Sequence, residues 1–93
     1  MKILLVEDEL SLGDYIKKGL SEAGFIVEHQ TTGLGGYHAL MTEDFNVVIM
    51  DVMLPDVSGF ELVRNYRAAG KLTPVLFLTA KDDLSDRVKG IEI

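Results

Sequence analysis

The sequence predicts an α/β domain built on a doubly wound parallel sheet. Short apolar runs alternate along the chain with segments whose apolar residues recur at helical spacing. Two of the runs, residues 47–50 and 75–78, contain no polar residue, which is typical of strands buried on both faces of a parallel sheet. Alternating strands and helices place helices on both faces of such a sheet, with right-handed crossovers.

The composition is that of one acidic domain. The 93 residues suffice for a single core, and 47% of them are hydrophobic. No apolar run approaches the ~20 residues of a membrane span, and cysteine is absent, so we expect a cytoplasmic protein without a membrane partner. The net charge of -6 argues against this segment binding nucleic acid by charge alone. Cationic partners, including divalent metal ions, fit this charge better than nucleic acid does, but solubility alone is the favoured explanation of the overall charge.

The first predicted βα unit is regular. Lys2–Val6 is a short apolar run and forms the first strand. A helix follows from about Leu10 to Ala23, and Gly24 suits its C-terminal cap. Its predicted buried stripe consists of Leu12, Ile16, Leu20 and Ala23.

The second predicted βα unit has weaker strand and helix patterns than the first. Residues 25–27 begin a strand that becomes polar at residues 28–30, which favours the edge of the sheet. Gly35 and Gly36 lower the helix propensity of the segment that follows. We interpret residues 33–36 as a turn and loose helix start, because a dinucleotide loop needs a third glycine and follows the first strand. The predicted stripe of this helix is Leu34, Tyr37, His38 and Met41.

The last two units carry the buried strands. Residues 47–50 form the third strand, and a loop containing Pro55 follows. Ser58 and Glu61 are spaced as a capping box that begins the third helix. Val75–Leu78 is the fourth strand. The predicted buried stripe of the third helix consists of Leu62, Val63, Tyr66 and Ala69. A fourth helix is predicted to begin at a cap formed by Asp82 or Asp83. Its stripe consists of Leu84, Val88 and Ile91.

Polar residues end three of the strands. Glu7 and Asp8 follow the first strand, Asp51 the third and Thr79 the fourth. The carboxyl ends of parallel strands meet at one edge of the sheet, so these residues converge if the strands are neighbours. Clustered carboxylates raise one another's pKa. A divalent cation would relieve the repulsion between these carboxylates. Mg²⁺ fits such a site because it binds carboxylates together with water and phosphate oxygens.

Asp51 is the candidate nucleophile of this cluster. A metal ion beside it would neutralise charge on a transferred phosphoryl group, so that Asp51 forms an aspartyl phosphate. The hydroxyl of Thr79 would donate a hydrogen bond to a phosphoryl oxygen.

Other functions remain open at this point. A Mg²⁺-dependent phosphohydrolase would also use an aspartate nucleophile, but it needs a second acid nearby, and Met53 stands two residues after Asp51. A flavodoxin-like cofactor binder needs a Ser-, Thr- or Gly-rich first loop, where this chain has Glu7, Asp8 and Glu9. A non-phosphorylated interaction module that keeps the fold is the third alternative.

Three stretches resemble the receiver domains of two-component response regulators. Residues 3–9 are similar to the first strand and acidic pair of that family, residues 51–59 to its phosphoacceptor loop, and residues 78–80 to its switch threonine. The resemblance covers the whole chain. It implies a flavodoxin-like sheet of strand order 2-1-3-4. In detail the sequence is most similar to regulators of the heavy-metal-responsive group, which carry a winged-helix DNA-binding domain.

The resemblance also implies roles for single residues. Asp51 would accept a phosphoryl group from a partner sensor histidine kinase, without the chain being an enzyme beyond self-phosphorylation and autodephosphorylation. Asp8, Asp51 and the backbone carbonyl of Met53 would bind Mg²⁺, and Glu7 would act through water. Thr79 would report the phosphoryl group. The output would be a DNA-binding domain outside this chain.

The family pattern continues beyond Ile93 with a fifth strand, which carries a lysine, and a fifth helix. The resemblance therefore implies that residues 1–93 are a receiver domain without that βα unit, and Lys81 does not replace the lysine. The outer edge of Val75–Leu78 would be apolar and unpaired, so we expect a homodimer or self-association through it.

Overall fold

The structure is a computed structural model and describes residues 1–78. Strands and helices alternate throughout this part of the chain. The elements are β1 (Lys2–Val6), α1 (Leu10–Glu22), β2 (Ile26–Gln30), α2 (Gly33–Thr42), β3 (Val47–Asp51), α3 (Gly59–Ala68) and β4 (Val75–Leu78). The predicted fourth helix, with Leu84, Val88 and Ile91, lies outside the described residues.

The described strands form one parallel sheet in the order β2-β1-β3-β4. This confirms the predicted fold class and the edge position of β2. Val6 pairs with Met50, and Asp51 pairs with Leu78. The residues that follow β1 therefore lie beside the end of β3. Self-association through β4 stays a prediction.

The main core lies between the sheet and helices α2 and α3. Side chains alternate along each strand, and every second one points into this core. Phe77 is fully buried there and its ring lies 4.7 Å from that of Phe60. The strand residues of this core, all 0% exposed, are Leu4, Val6, Val48, Met50, Val75 and Phe77. Their burial fixes the register that aligns the strand ends.

Helix α1 covers the opposite face of the sheet. Ile16 and Leu20 pack against the small cluster of Ile3, Leu5 and Val27, as predicted. The two ends of its predicted stripe are wrong, since Leu12 is 43% exposed and Ala23 is also exposed. Gly24 follows the helix with a φ of 96°, a conformation that favours glycine.

The predicted stripe of the second helix is wrong at three of its four residues: Tyr37 packs against the main core as predicted, but His38 is exposed. Leu34 is 70% exposed and Met41 is 42% exposed. The buried residues are instead Gly33, Gly36, Ala39 and Leu40. A Cβ atom on Gly36 would lie 2.6 Å from Val6 Cγ2, so the helix rests on β1 through small residues that let it approach closely.

Helix α3 begins at the predicted cap. Ser58 Oγ accepts a hydrogen bond from the Phe60 N–H at 3.2 Å, while the Glu61 carboxylate pairs with Arg64 at 3.1 Å. Its buried residues include Leu62, Val63 and Tyr66, as predicted, but Ala69 is exposed and lies at the C-cap. None of the helices within residues 1–78 is long and apolar enough to cross a bilayer.

Candidate functional site

The structure brings three predicted site residues together at the carboxyl edge of the sheet. Glu7 and Asp8 follow β1, and Asp51 is the last residue of the adjacent strand β3. One carboxylate oxygen from each residue lies within 4.8 Å of the others, close enough for the three to hold one cation. Thr79 lies outside the described residues, so its predicted place in this cluster stays a prediction.

Two of the three carboxylates are removed from water. Glu7 is 4% exposed and Asp51 is 8% exposed, whereas Asp8 is exposed. Burial, then a hydrogen bond with Asp8 and the charges of Glu7 and Asp8, together raise the pKa of Asp51 to about 7. The Met53 N–H, 3.1 Å from Asp51 Oδ1, opposes the shift. Burial likewise raises the pKa of Glu7. Without a cation, the site therefore disfavours full ionisation of its three carboxyl groups at neutral pH.

The loop of residues 52–58 is closed tightly at its base. Met53 forms an antiparallel bridge with Ser58, and the Gly59 N–H donates to the Val52 carbonyl at 2.9 Å. A Cβ atom on Gly59 would lie 2.2 Å from the Asp51 carbonyl oxygen. Glycine at this position lets α3 begin directly against the end of β3.

A cavity of about 410 Å³ opens over the carboxylates. Met53 and Leu78 border it together with the three acids. The Met53 side chain is 68% exposed. An ion or small anion therefore has access to the acids from solvent, beside the Met53 backbone.

His29 has a contact that the sequence did not indicate. His29 Nε2–H donates a hydrogen bond to the backbone carbonyl of Glu7 at 2.9 Å. A Cβ atom on Gly13 would lie 2.2 Å from His29 Cε1, so α1 leaves space for this ring. His29 thus supports the end of β1 from β2. Isolated in sequence, it carried no signal for this contact.

Asp56 is the second residue whose role the sequence did not reveal. Its Oδ1 accepts a hydrogen bond from the Gly33 N–H at 2.9 Å, and its Oδ2 accepts one from the Leu34 N–H at 3.0 Å. These hydrogen bonds lower the pKa of Asp56. Asp56 follows Gly33 by 23 residues, so no local spacing pointed to the contact.

A parallel sheet of this order, with an acidic cluster where its two central strands end, defines a receiver-type signalling fold. The chain belongs to the response regulator receiver domain family, which it matches over residues 3–93. This confirms the resemblance found in the sequence.

Curated relatives are transcriptional regulators. The chain is 54% identical to the probable transcriptional regulatory protein SilR of Salmonella typhimurium and 52% identical to the transcriptional regulatory protein CusR of Escherichia coli K12. Each match covers 100% of this chain and 41% of the relative. The chain thus spans well under half the length of these relatives.

Solved receiver domains share the fold. The receiver domain of the Francisella response regulator 1452 superposes with a TM-score of 0.84 at 26% identity, covering 91% of this chain and 70% of that one. The HemR receiver domain of Leptospira biflexa gives 0.80 at 34% identity, with 91% and 68% covered. The response regulator TrrA of Thermotoga maritima, in complex with Mg²⁺-BeF, gives 0.82 at 28% identity, with 91% and 77% covered.

Proposed function

We propose that this chain is the phosphoacceptor module of a two-component response regulator and that Asp51 accepts a phosphoryl group from a partner sensor histidine kinase. The observation that carries the proposal is the buried carboxylate of Asp51, held at the end of a central strand against the carboxylates of Glu7 and Asp8. The Asp51 carboxylate attacks the phosphorus of the kinase's phosphohistidine, an O–P bond forms as the P–N bond breaks, and the released imidazole takes up a proton, which leaves Asp51 as an acyl phosphate.

The acidic cluster fits Mg²⁺. Its donors are hard oxygens, and burial raises the pKa of Asp51 and of Glu7, so a cation stabilises the ionised cluster. In this proposal Asp8, Asp51 and the Met53 carbonyl hold the ion, and Glu7 acts through water. When bound, Mg²⁺ neutralises negative charge on the phosphoryl oxygens. The Mg²⁺-BeF complex of TrrA, which shares the fold, supports this assignment.

The response to phosphorylation is assigned to Thr79 and to a DNA-binding domain outside this chain. The names of the curated relatives describe transcriptional regulators, and they are more than twice as long as the match. A cytoplasmic location agrees with that role. We propose no independent enzymatic activity beyond self-phosphorylation and autodephosphorylation.

The test is phosphorylation by a small phosphodonor. The chain is incubated with acetyl phosphate and Mg²⁺, and its intact mass is followed together with released phosphate. We expect an adduct of one phosphoryl group that disappears when EDTA removes Mg²⁺ or when Asp51 is replaced (Asp51→Asn). Asp14→Asn, which changes an exposed acid on α1, is the matched control and keeps the adduct.

Two results would contradict the proposal. A chain that gains no phosphoryl group at any phosphodonor concentration would contradict the proposal that this chain is a phosphoacceptor module. Steady release of more phosphate than there is protein would indicate a hydrolase. If Asp51→Asn does not change this release, the hydrolase works through another residue.

A further inference from the structure

The loop of residues 52–58 connects the acidic site to the N-terminus of α2. Both carboxylate oxygens of Asp56, near the tip of the loop, accept backbone hydrogen bonds from the first turn of that helix, at 2.9 and 3.0 Å. The neighbouring side chain of Val57 packs so closely that a Cβ atom on Gly33 would lie 2.3 Å from Val57 Cγ1. The tip is therefore docked on α2 by polar and apolar contacts together.

The base of the same loop lies at the site. The Met53 N–H donates to Asp51 Oδ1 at 3.1 Å, and Met53 pairs with Ser58 across the loop. A short loop pinned at its base and tip has little freedom in between. The loop therefore links the Asp56 contact on α2 to Met53, whose N–H binds the Asp51 carboxylate.

The contact does more than complete the helix end. Helix α2 already has an N-cap, because Thr32 Oγ1 accepts a hydrogen bond from the Gly35 N–H at 3.0 Å. Asp56 binds the N–H groups of Gly33 and Leu34, which the Thr32 side chain does not engage. A carboxylate at a helix N-terminus also interacts favourably with the helix dipole. Two separate side chains therefore hold this helix end, and Asp56 is the one that belongs to the loop.

We propose that Asp56 is a positioning residue for the acidic site: by docking the loop on α2 it holds Met53 and Asp51 in the arrangement that binds Mg²⁺. This inference rests on the proposed function. Asp56 acts through the backbone, since both of its oxygens are engaged by α2.

The test compares two variants that each remove one side chain from the same helix end. Mg²⁺ binding is measured by titration calorimetry with MgCl₂, and stability by urea unfolding without Mg²⁺. We expect Asp56→Ala to raise the Mg²⁺ dissociation constant on the order of tenfold, as removal of a partner that orients metal ligands does. Thr32→Ala is the matched control: it lowers the urea midpoint as Asp56→Ala does but keeps the parent's Mg²⁺ affinity.

Further variants and outcomes separate the two proposals. Asp56→Asn keeps an acceptor oxygen for the Gly33 N–H, so we expect a dissociation constant between those of the parent and Asp56→Ala; it carries the comparison if Asp56→Ala does not fold. Parent-like Mg²⁺ affinity in both Asp56 variants would overturn the positioning role, as would equal weakening by Thr32→Ala. A parent chain that gains no phosphoryl group and binds no Mg²⁺ would instead overturn the proposed function, and this inference with it.

Discussion

Replacing Asp51 by asparagine is expected to raise the free energy of unfolding by about 2 kcal/mol at pH 8 and to change it little at pH 4, without Mg²⁺. The carboxyl group binds its proton more tightly in the folded chain, where burial raises its pKa from 3.8 to about 7. The stabilisation from that proton is therefore complete below about pH 4. It is lost as the pH rises through 7, where the buried group ionises.

The size of the effect follows from the same pKa. A rise from 3.8 to about 7 corresponds to roughly 4 kcal/mol at ~1.36 kcal/mol per pH unit. We expect about half of this, because Glu7 and Asp51 interact closely enough to share a proton. Asparagine carries no charge at either pH, so the difference between variant and parent measures the ionisation of Asp51 together with its interaction with Glu7 and Asp8.

Urea unfolding between pH 4 and pH 8 measures this directly. Asp14→Asn, at an exposed position on α1, is the control and should give a difference near zero at both ends. An equal effect of Asp51→Asn at both pH values would show that ionisation of Asp51 does not strain the fold. With Mg²⁺ at pH 8, the parent should become more stable than Asp51→Asn, because an ion at about 100 times its dissociation constant stabilises the parent by ~2.7 kcal/mol.

Replacing Gly59 by alanine is expected to destabilise the fold by about 3 kcal/mol, the upper range for inserting atoms into a packed site. The added Cβ would lie 2.2 Å from the Asp51 carbonyl oxygen and 2.9 Å from Met50 Cγ. Backbone and buried core cannot both yield, so α3 must move away from β3. Because that movement disturbs Asp51, Mg²⁺ affinity should fall as well.

Gly19→Ala is the matched control for this substitution. Apart from its two chain neighbours and the nearby backbone of α1 itself, no atom lies within 4 Å of a Cβ placed on Gly19, which is exposed. The same change should therefore stabilise the chain by up to ~1 kcal/mol through helix propensity. Thermal unfolding followed by circular dichroism compares the two. A neutral Gly59→Ala would show that the contact between α3 and Asp51 is looser than the structure indicates.

The sheet and the acidic edge could be predicted because each depends on a local pattern. Uninterrupted apolar runs at Val48 and Phe77 mark buried strands, and alternation with helices makes the sheet parallel. Parallel strand ends share one edge, so Asp51 and Glu7 were expected to meet once β1 and β3 were neighbours.

The missed features depend on contacts between distant residues or on small side chains. Helix α2 packs through Gly36 because its close approach to Val6 requires the absence of a side chain. The predicted stripe of larger residues lies mostly on the exposed face, with Tyr37 as its one member that packs against the core. Asp56 and His29 bind backbone groups of other elements, and sequence spacing carries no information about such contacts. Both residues support the site. The acidic residues that form the site could therefore be predicted from the sequence, but the contacts that hold them in place could not.

The central claim is that Asp51 carries the phosphoryl group, and mapping the modified residue tests it most directly. The chain is phosphorylated with acetyl phosphate and Mg²⁺, reduced with borohydride, which converts an aspartyl phosphate to homoserine, and digested for peptide mass spectrometry. We expect homoserine at position 51 and aspartate at positions 8, 14 and 56. Homoserine at one of those positions, or at none, would contradict the assignment.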